Sequence, residues 1–83
     1  MAVLELPEFA DRLAAHLEVD STRRDERASI FEDWVLDSLR TFQLIVVVEA
    51  MAGVAVPPAS IPEMYSIGDV YGYYRSLVDG AAA

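Results

Sequence analysis

Asp37-Ser38-Leu39-Arg40-Thr41-Phe42-Gln43-Leu44-Ile45-Val46-Val47-Val48-Glu49-Ala50-Met51-Ala52-Gly53 is the stretch on which the fold turns. Leu44 to Val48 are five successive aliphatic residues, four of them β-branched, and by residue preference alone they read as a buried strand. Length decides otherwise. About fifteen residues between a Ser/Asp start and a Gly stop far exceed the roughly 5–6 of an ordinary strand. The expectation is a helix from about Ser38 to Ala52 that stops at Gly53, with Pro57-Pro58 barring continuation. On that helix Leu44, Ile45, Val48, Met51 and Ala52 fall on the inward arc, and Phe42 and Val46 toward a half-exposed edge.

The start of this helix is the candidate site. Backbone N–H groups without intrahelical partners point outward there and the macrodipole favours negative charge, so a phosphate esterified to Ser38 would sit in a favourable field. Asp37 is placed to cap the helix and present the serine. Leu39 is expected to pack inward and hold Ser38 outward.

The flanking segments are expected to be helical too. Pro7 to Leu17 carries Phe9, Leu13 and Leu17 at helical spacing, with Leu6 behind, a proline suited to the first turn and the acids Glu8 and Asp11 near the positive end of the dipole. Glu18 to Asp33 is polar and charge-rich and reads as a long loop, pinned to the core by Ile30 and Phe31, with room for a short helical turn. Glu63-Met64-Tyr65, after the proline-rich run, allows one or two helical turns. A last helix begins at Ser66, where Ser66-Ile67-Gly68-Asp69 has the Ser-x-x-acid form of a capping box. Its apolar stripe is Val70, Tyr73, Tyr74, Leu77 and Val78, and Gly80 with the alanine tail ends it. The fold class expected is all-α, a small four-helix bundle of three long helices and one short, in a single domain with an ordered core at about 6–79.

Composition narrows the function classes. A chain of 83 residues builds one small core and no deep pocket of a free-standing enzyme. Gln43 and Glu49 interrupt the longest apolar run short of the roughly 20 residues of a membrane span. The acidic amino end lacks the pattern of a secretory or transit signal, so a cytoplasmic location is the expectation. A net charge of −8 disfavours nucleic acid and anionic membranes and favours proteins with positive patches. There is no cysteine, so any thiol chemistry needs an imported thiol.

Taken as an ordered set, Phe31-Glu32-Asp33, Asp37-Ser38-Leu39, the helix to Gly53, the Val56-Pro57 exit and Ser66-Ile67-Gly68-Asp69-Val70 resemble an acyl carrier protein of the phosphopantetheine-binding family. The resemblance covers nearly the whole chain. It implies a 4'-phosphopantetheine arm placed on Ser38 by a phosphopantetheinyl transferase, with intermediates carried as thioesters on the arm's thiol between loading, synthase and modifying enzymes. It also implies no catalysis by the chain itself, which is expected to be a monomer. Two departures stand out. The family commonly has a Gly two residues before the Asp, where this chain has Val35. Carriers of fatty-acid synthesis bear acids along the second helix, where this chain has Arg40 and Gln43, leaving Glu49 the sole acid after Asp37. The reading is therefore a specialised carrier, of polyketide or other natural-product synthesis or of specialised fatty-acid synthesis, whose partners read Arg40, Phe42 and Val46.

Two other readings remain open from sequence. One is a peptidyl (aminoacyl) carrier; the other is an unmodified helical interaction module in which Ser38 only caps. A hydrolytic serine lacks a base, because His16 is the sole histidine and sits on another helix as a surface residue. Trp34 reads as a core anchor, Tyr71, Tyr73 and Tyr74 as core and rim, and Arg23, Arg24 and Arg27 as a solvated charged loop.

Overall fold

The computed structural model describes residues 3–20, 22–55 and 63–82, and among them three α-helices form: α1 Leu6–Leu17, α2 Ser38–Ala52 and α3 Ile67–Ala82. Helix α1 buries Phe9, Ala10, Leu13, Ala14 and Leu17, the face set by its sequence spacing, and starts with a proline in its first turn. It ends at Glu18, whose backbone takes the left-handed conformation (φ 55°), with the Val19 N–H donating to the Ala14 carbonyl at 2.9 Å.

Helix α2 overrides the strand preference of its aliphatic run because both ends are capped and one stripe is buried. Leu44, Val48 and Ala52 recur every fourth residue and are buried, with Ile45 and Met51 packed beside them. At its end Gly53 adopts φ 73°, where a Cβ would be strained, and the Val54 N–H closes on the Glu49 carbonyl at 3.1 Å. α2 packs against both other helices, so Phe9 and Leu13 of α1, Leu44 and Val48 of α2, and Val70 and Tyr74 of α3 share one core cluster. Phe9 meets the Tyr71 ring edge-on at 5.3 Å and that of Tyr74 at 4.8 Å. The same two tyrosines hold the chain ahead of α1. The Tyr71 hydroxyl donates to the Leu4 carbonyl at 2.7 Å, and the Leu4 N–H donates to the Tyr74 hydroxyl at 3.2 Å.

The loop between α1 and α2 is tied down by backbone bonds to the segment that leads into α3. Ser29 and Ser66 form an isolated antiparallel bridge, flanked by Ile30 N–H to the Tyr65 carbonyl at 3.0 Å and Ile67 N–H to the Ala28 carbonyl at 2.8 Å. Ala28, Ile30, Trp34 and Leu36 are buried, and the Trp34 indole N–H donates to the Arg23 carbonyl at 2.7 Å. This accounts for a long loop in a small domain: its polar backbone groups find partners. The arginines are balanced at the surface, Arg23 by Asp25 and Asp33 and Arg24 by Asp11.

Three expectations are corrected. The short fourth helix is absent at Glu63 to Tyr65, where the Tyr65 carbonyl accepts the Ile30 N–H of the loop and the Tyr65 N–H goes to the Asp69 carboxylate instead of to a helical turn; residues 56–62 lie outside the described residues. Helix α3 does not end at Gly80 but runs to Ala82, since Gly80 keeps a negative φ and the alanines behind it are strong helix formers. Phe31 is not a core pin: Ile30 takes the inward position and Phe31 turns out toward the Tyr65 ring, 6.3 Å away. The capping box of α3 forms as its sequence implies. The Asp69 carboxylate accepts the N–H of Tyr65 at 2.9 Å and of Ser66 at 3.1 Å, while the Ser66 hydroxyl accepts the Asp69 N–H at 3.1 Å.

Candidate attachment site

Ser38 is the first residue of α2 and is exposed. Asp37 ahead of it has extended backbone (φ −89°, ψ −176°), and its carboxylate accepts the Arg40 N–H at 2.8 Å. Its carbonyl accepts the Thr41 N–H at 2.9 Å and the Thr41 hydroxyl at 2.8 Å. The cap thus occupies the third N–H of the helix and leaves those of Ser38 and Leu39 without intrahelical partners, at the positive end of the dipole. Among the described residues nothing hydrogen-bonds the Ser38 hydroxyl. The first turn contains no acid, so no carboxylate within it opposes an incoming phosphate.

The role expected of Leu39 is overturned. Its side chain is 66% exposed, because at about 100° per residue it stands some 140° around the helix from Leu44. Leu36, 5% exposed and with its N–H on the Ile30 carbonyl, anchors the approach to Ser38 instead. Leu39 joins Phe42 and Val46, at i, i+3 and i+7, in an exposed apolar strip. The same spacing is visible in the sequence and would have placed Leu39 there. Arg40 lies half-buried beside the strip.

Val35 carries the second signal. It holds φ 54°, in the left-handed region, with its side chain 73% exposed. A β-branched residue is strained there, where glycine would not be.

Next to the site a cleft of about 280 Å³ opens between α2, the loop and the lead into α3, lined by Phe31, Thr41, Ile45, Glu63, Met64 and Tyr65. The Tyr65 hydroxyl donates to Glu63 at 2.8 Å, which pushes the phenol's pKa up. Neither Tyr65 nor the cleft is legible in the sequence, because its walls come from three segments separated along the chain: the loop at Phe31, α2 at Thr41 and Ile45, and Glu63 to Tyr65. Elsewhere, the Tyr73 hydroxyl is buried without a hydrogen-bond partner. Burial, then the nearby Glu49 carboxylate, raise its pKa. His16 is exposed, and no group of His, Asp or Glu among the described residues is arranged to hold a metal ion.

Fold and site together define a small helical bundle that displays a serine at a helix tip, with no catalytic constellation around it among the described residues. No family model matches the chain. Comparison with characterised proteins finds similarity to the acyl carrier protein of Treponema denticola, 30% identical over 64 residues, which span 77% of this chain and 82% of that protein. The chain belongs to the acyl carrier protein family, and is a carrier rather than a catalyst. Members of the family generally bear a phosphopantetheine group and work with synthase and modifying enzymes. The residues here fit such a group: an exposed hydroxyl, two unpaired backbone N–H groups beside it and an acid-free first turn. No helix among the described residues is long and apolar enough to cross a membrane.

Proposed function

We propose that this chain is a single-domain, cytoplasmic and monomeric carrier that holds acyl intermediates as thioesters on a 4'-phosphopantetheine arm esterified to Ser38. The supporting observation is the exposed Ser38 hydroxyl in the first turn of α2, set there by the Asp37 cap. In the loading step Ser38 Oγ loses its proton to the transferase and forms the phosphorus–oxygen bond as the bond to the nucleotide half of coenzyme A breaks. Asp37 holds the serine at the helix tip, and the unpaired N–H groups of Ser38 and Leu39 would be available to the phosphate. The arm, when bound, supplies the thiol this cysteine-free chain lacks.

The pathway is specialised, of polyketide or other natural-product synthesis or of specialised fatty-acid synthesis. What supports this is the outer face of α2, where Leu39, Phe42 and Val46 stand exposed and Glu49 is the only acid. Partner enzymes dock there through an apolar groove, the usual way an amphipathic helix is read, with an acidic group placed to meet Arg40. Intact mass after incubation with a broad-specificity phosphopantetheinyl transferase and coenzyme A tests the reading. The wild-type chain gains the mass of one arm and Ser38→Ala gains none; an unmodified wild type leaves an unmodified interaction module, and a gain that survives in the variant removes Ser38 as the attachment point.

A further inference from the structure

We propose that the cleft beside Ser38 is shaped for a planar acyl group, an aryl or conjugated chain rather than a saturated one, with Phe31 and Tyr65 as its specificity-determining lips. The inference rests on the carrier reading and names the cargo of that site.

Thr41, on the cleft wall, lies three residues along α2 from Ser38, about 4.5 Å of helical rise, so a group on the arm reaches the mouth by doubling back along one turn. The chemistry of the walls then selects. The Phe31 and Tyr65 rings both line the cleft, stand 6.3 Å apart at 57° and are 45% and 58% exposed, so both retain aromatic surface open to a guest. An aromatic guest gains from such rings beyond the area it buries, whereas a saturated chain gains the area alone. Met64, buried at the back, adds a sulfur that favours contact with a ring. Both lining hydroxyls are already committed, Tyr65 to Glu63 and Thr41 to the Asp37 carbonyl, so the cleft presents mostly carbon. The Glu63 carboxylate disfavours an acyl group that ends in a carboxylate of its own.

The test compares the chain loaded on Ser38 with cinnamoyl- and with nonanoyl-phosphopantetheine, equal in carbon count, by melting temperature and by NMR of the Phe31 and Tyr65 ring protons. Expected are a higher melting temperature for the cinnamoyl form, ring shifts at both residues in that form, and loss of the difference in Tyr65→Ala, whose exposed side chain the fold does not need. An equal or greater effect of nonanoyl, or a cinnamoyl effect unchanged in Tyr65→Ala and Phe31→Leu, overturns the cargo assignment while leaving the carrier reading intact. A wild-type chain that accepts no arm overturns both, and the mass spectrum reports that before the comparison begins.

Discussion

The Gly68 N–H donates to the Glu26 carbonyl at 2.9 Å, and a Cβ at Gly68 would stand 2.8 Å from that same oxygen. The obstacle is backbone, not the end of a flexible side chain. Since this contact joins the first loop to the opening turn of α3, Gly68→Ala should push the two apart and cost about 1–3 kcal/mol, in the range of overpacked sites. Urea unfolding measures it. A variant within about 0.5 kcal/mol of wild type, the usual scatter of surface changes, would mean that the loop yields.

Val35→Gly should do the opposite. Left-handed backbone costs a side chain about 1–2 kcal/mol, while glycine forfeits roughly 0.5–1 kcal/mol in chain entropy. The net expectation is a gain of between zero and about 1.5 kcal/mol, at about 4–8 °C of melting temperature per kcal/mol for a domain of this size. A lower melting temperature would show that the exposed valine makes contacts outweighing its strain.

The Asp37 cap joins stability to function. Asp37→Ala frees the Arg40 N–H and should cost about 1 kcal/mol, whereas Asp37→Asn, which keeps an accepting oxygen, should cost less. On the carrier reading Ala should also slow arm attachment at Ser38 more than Asn. Equal attachment rates for the two variants would separate the cap from the presentation of the serine.

Asp69 makes stability depend on acid. The N–H groups of Tyr65 and Ser66 hold its pKa below the usual carboxylate value. A carboxyl group whose pKa is lower folded than unfolded contributes stability above its unfolded value, about 3.9, and that contribution is lost as pH falls through the folded value. Melting temperature should therefore drop below about pH 4 less steeply in Asp69→Asn than in wild type. Asp25, lowered chiefly by its hydrogen bond from Arg23, acts in the same direction and leaves some slope in the variant. Identical slopes in the two proteins would remove Asp69 from this account.

Phe42→Ser should leave the fold within about 0.5 kcal/mol of wild type, because the ring is 61% exposed and outside the core. If the strip on α2 is the docking face, the same change should weaken a cognate partner by tenfold or more while attachment to Ser38 persists. Unchanged partner affinity in both Phe42→Ser and Val46→Ser would place docking elsewhere.

Much of this protein was legible without coordinates, because it rests on contacts between near neighbours in the chain. Asp37 caps a helix three residues on, Gly53 ends it, and Ser66 with Asp69 opens the next; each is a bond within one turn. The exposed serine at the start of α2 follows from such signals, as does the burial of Leu44 and Val48. Where local preference and local caps disagreed, as over Leu44 to Val48, length and the two caps settled the matter.

Tertiary structure decided what depends on segments far apart in the chain. Tyr65 gives its carbonyl to Ile30 of the loop instead of to a helical turn, and Phe31 faces Tyr65 because Ile30 fills the inward place. Val35 holds a left-handed backbone between buried Trp34 and buried Leu36, whose packing sets the path of the chain there. The cleft beside Ser38 exists only where those distant pieces meet, since its walls are assembled by hydrogen bonds and packing that no periodicity records.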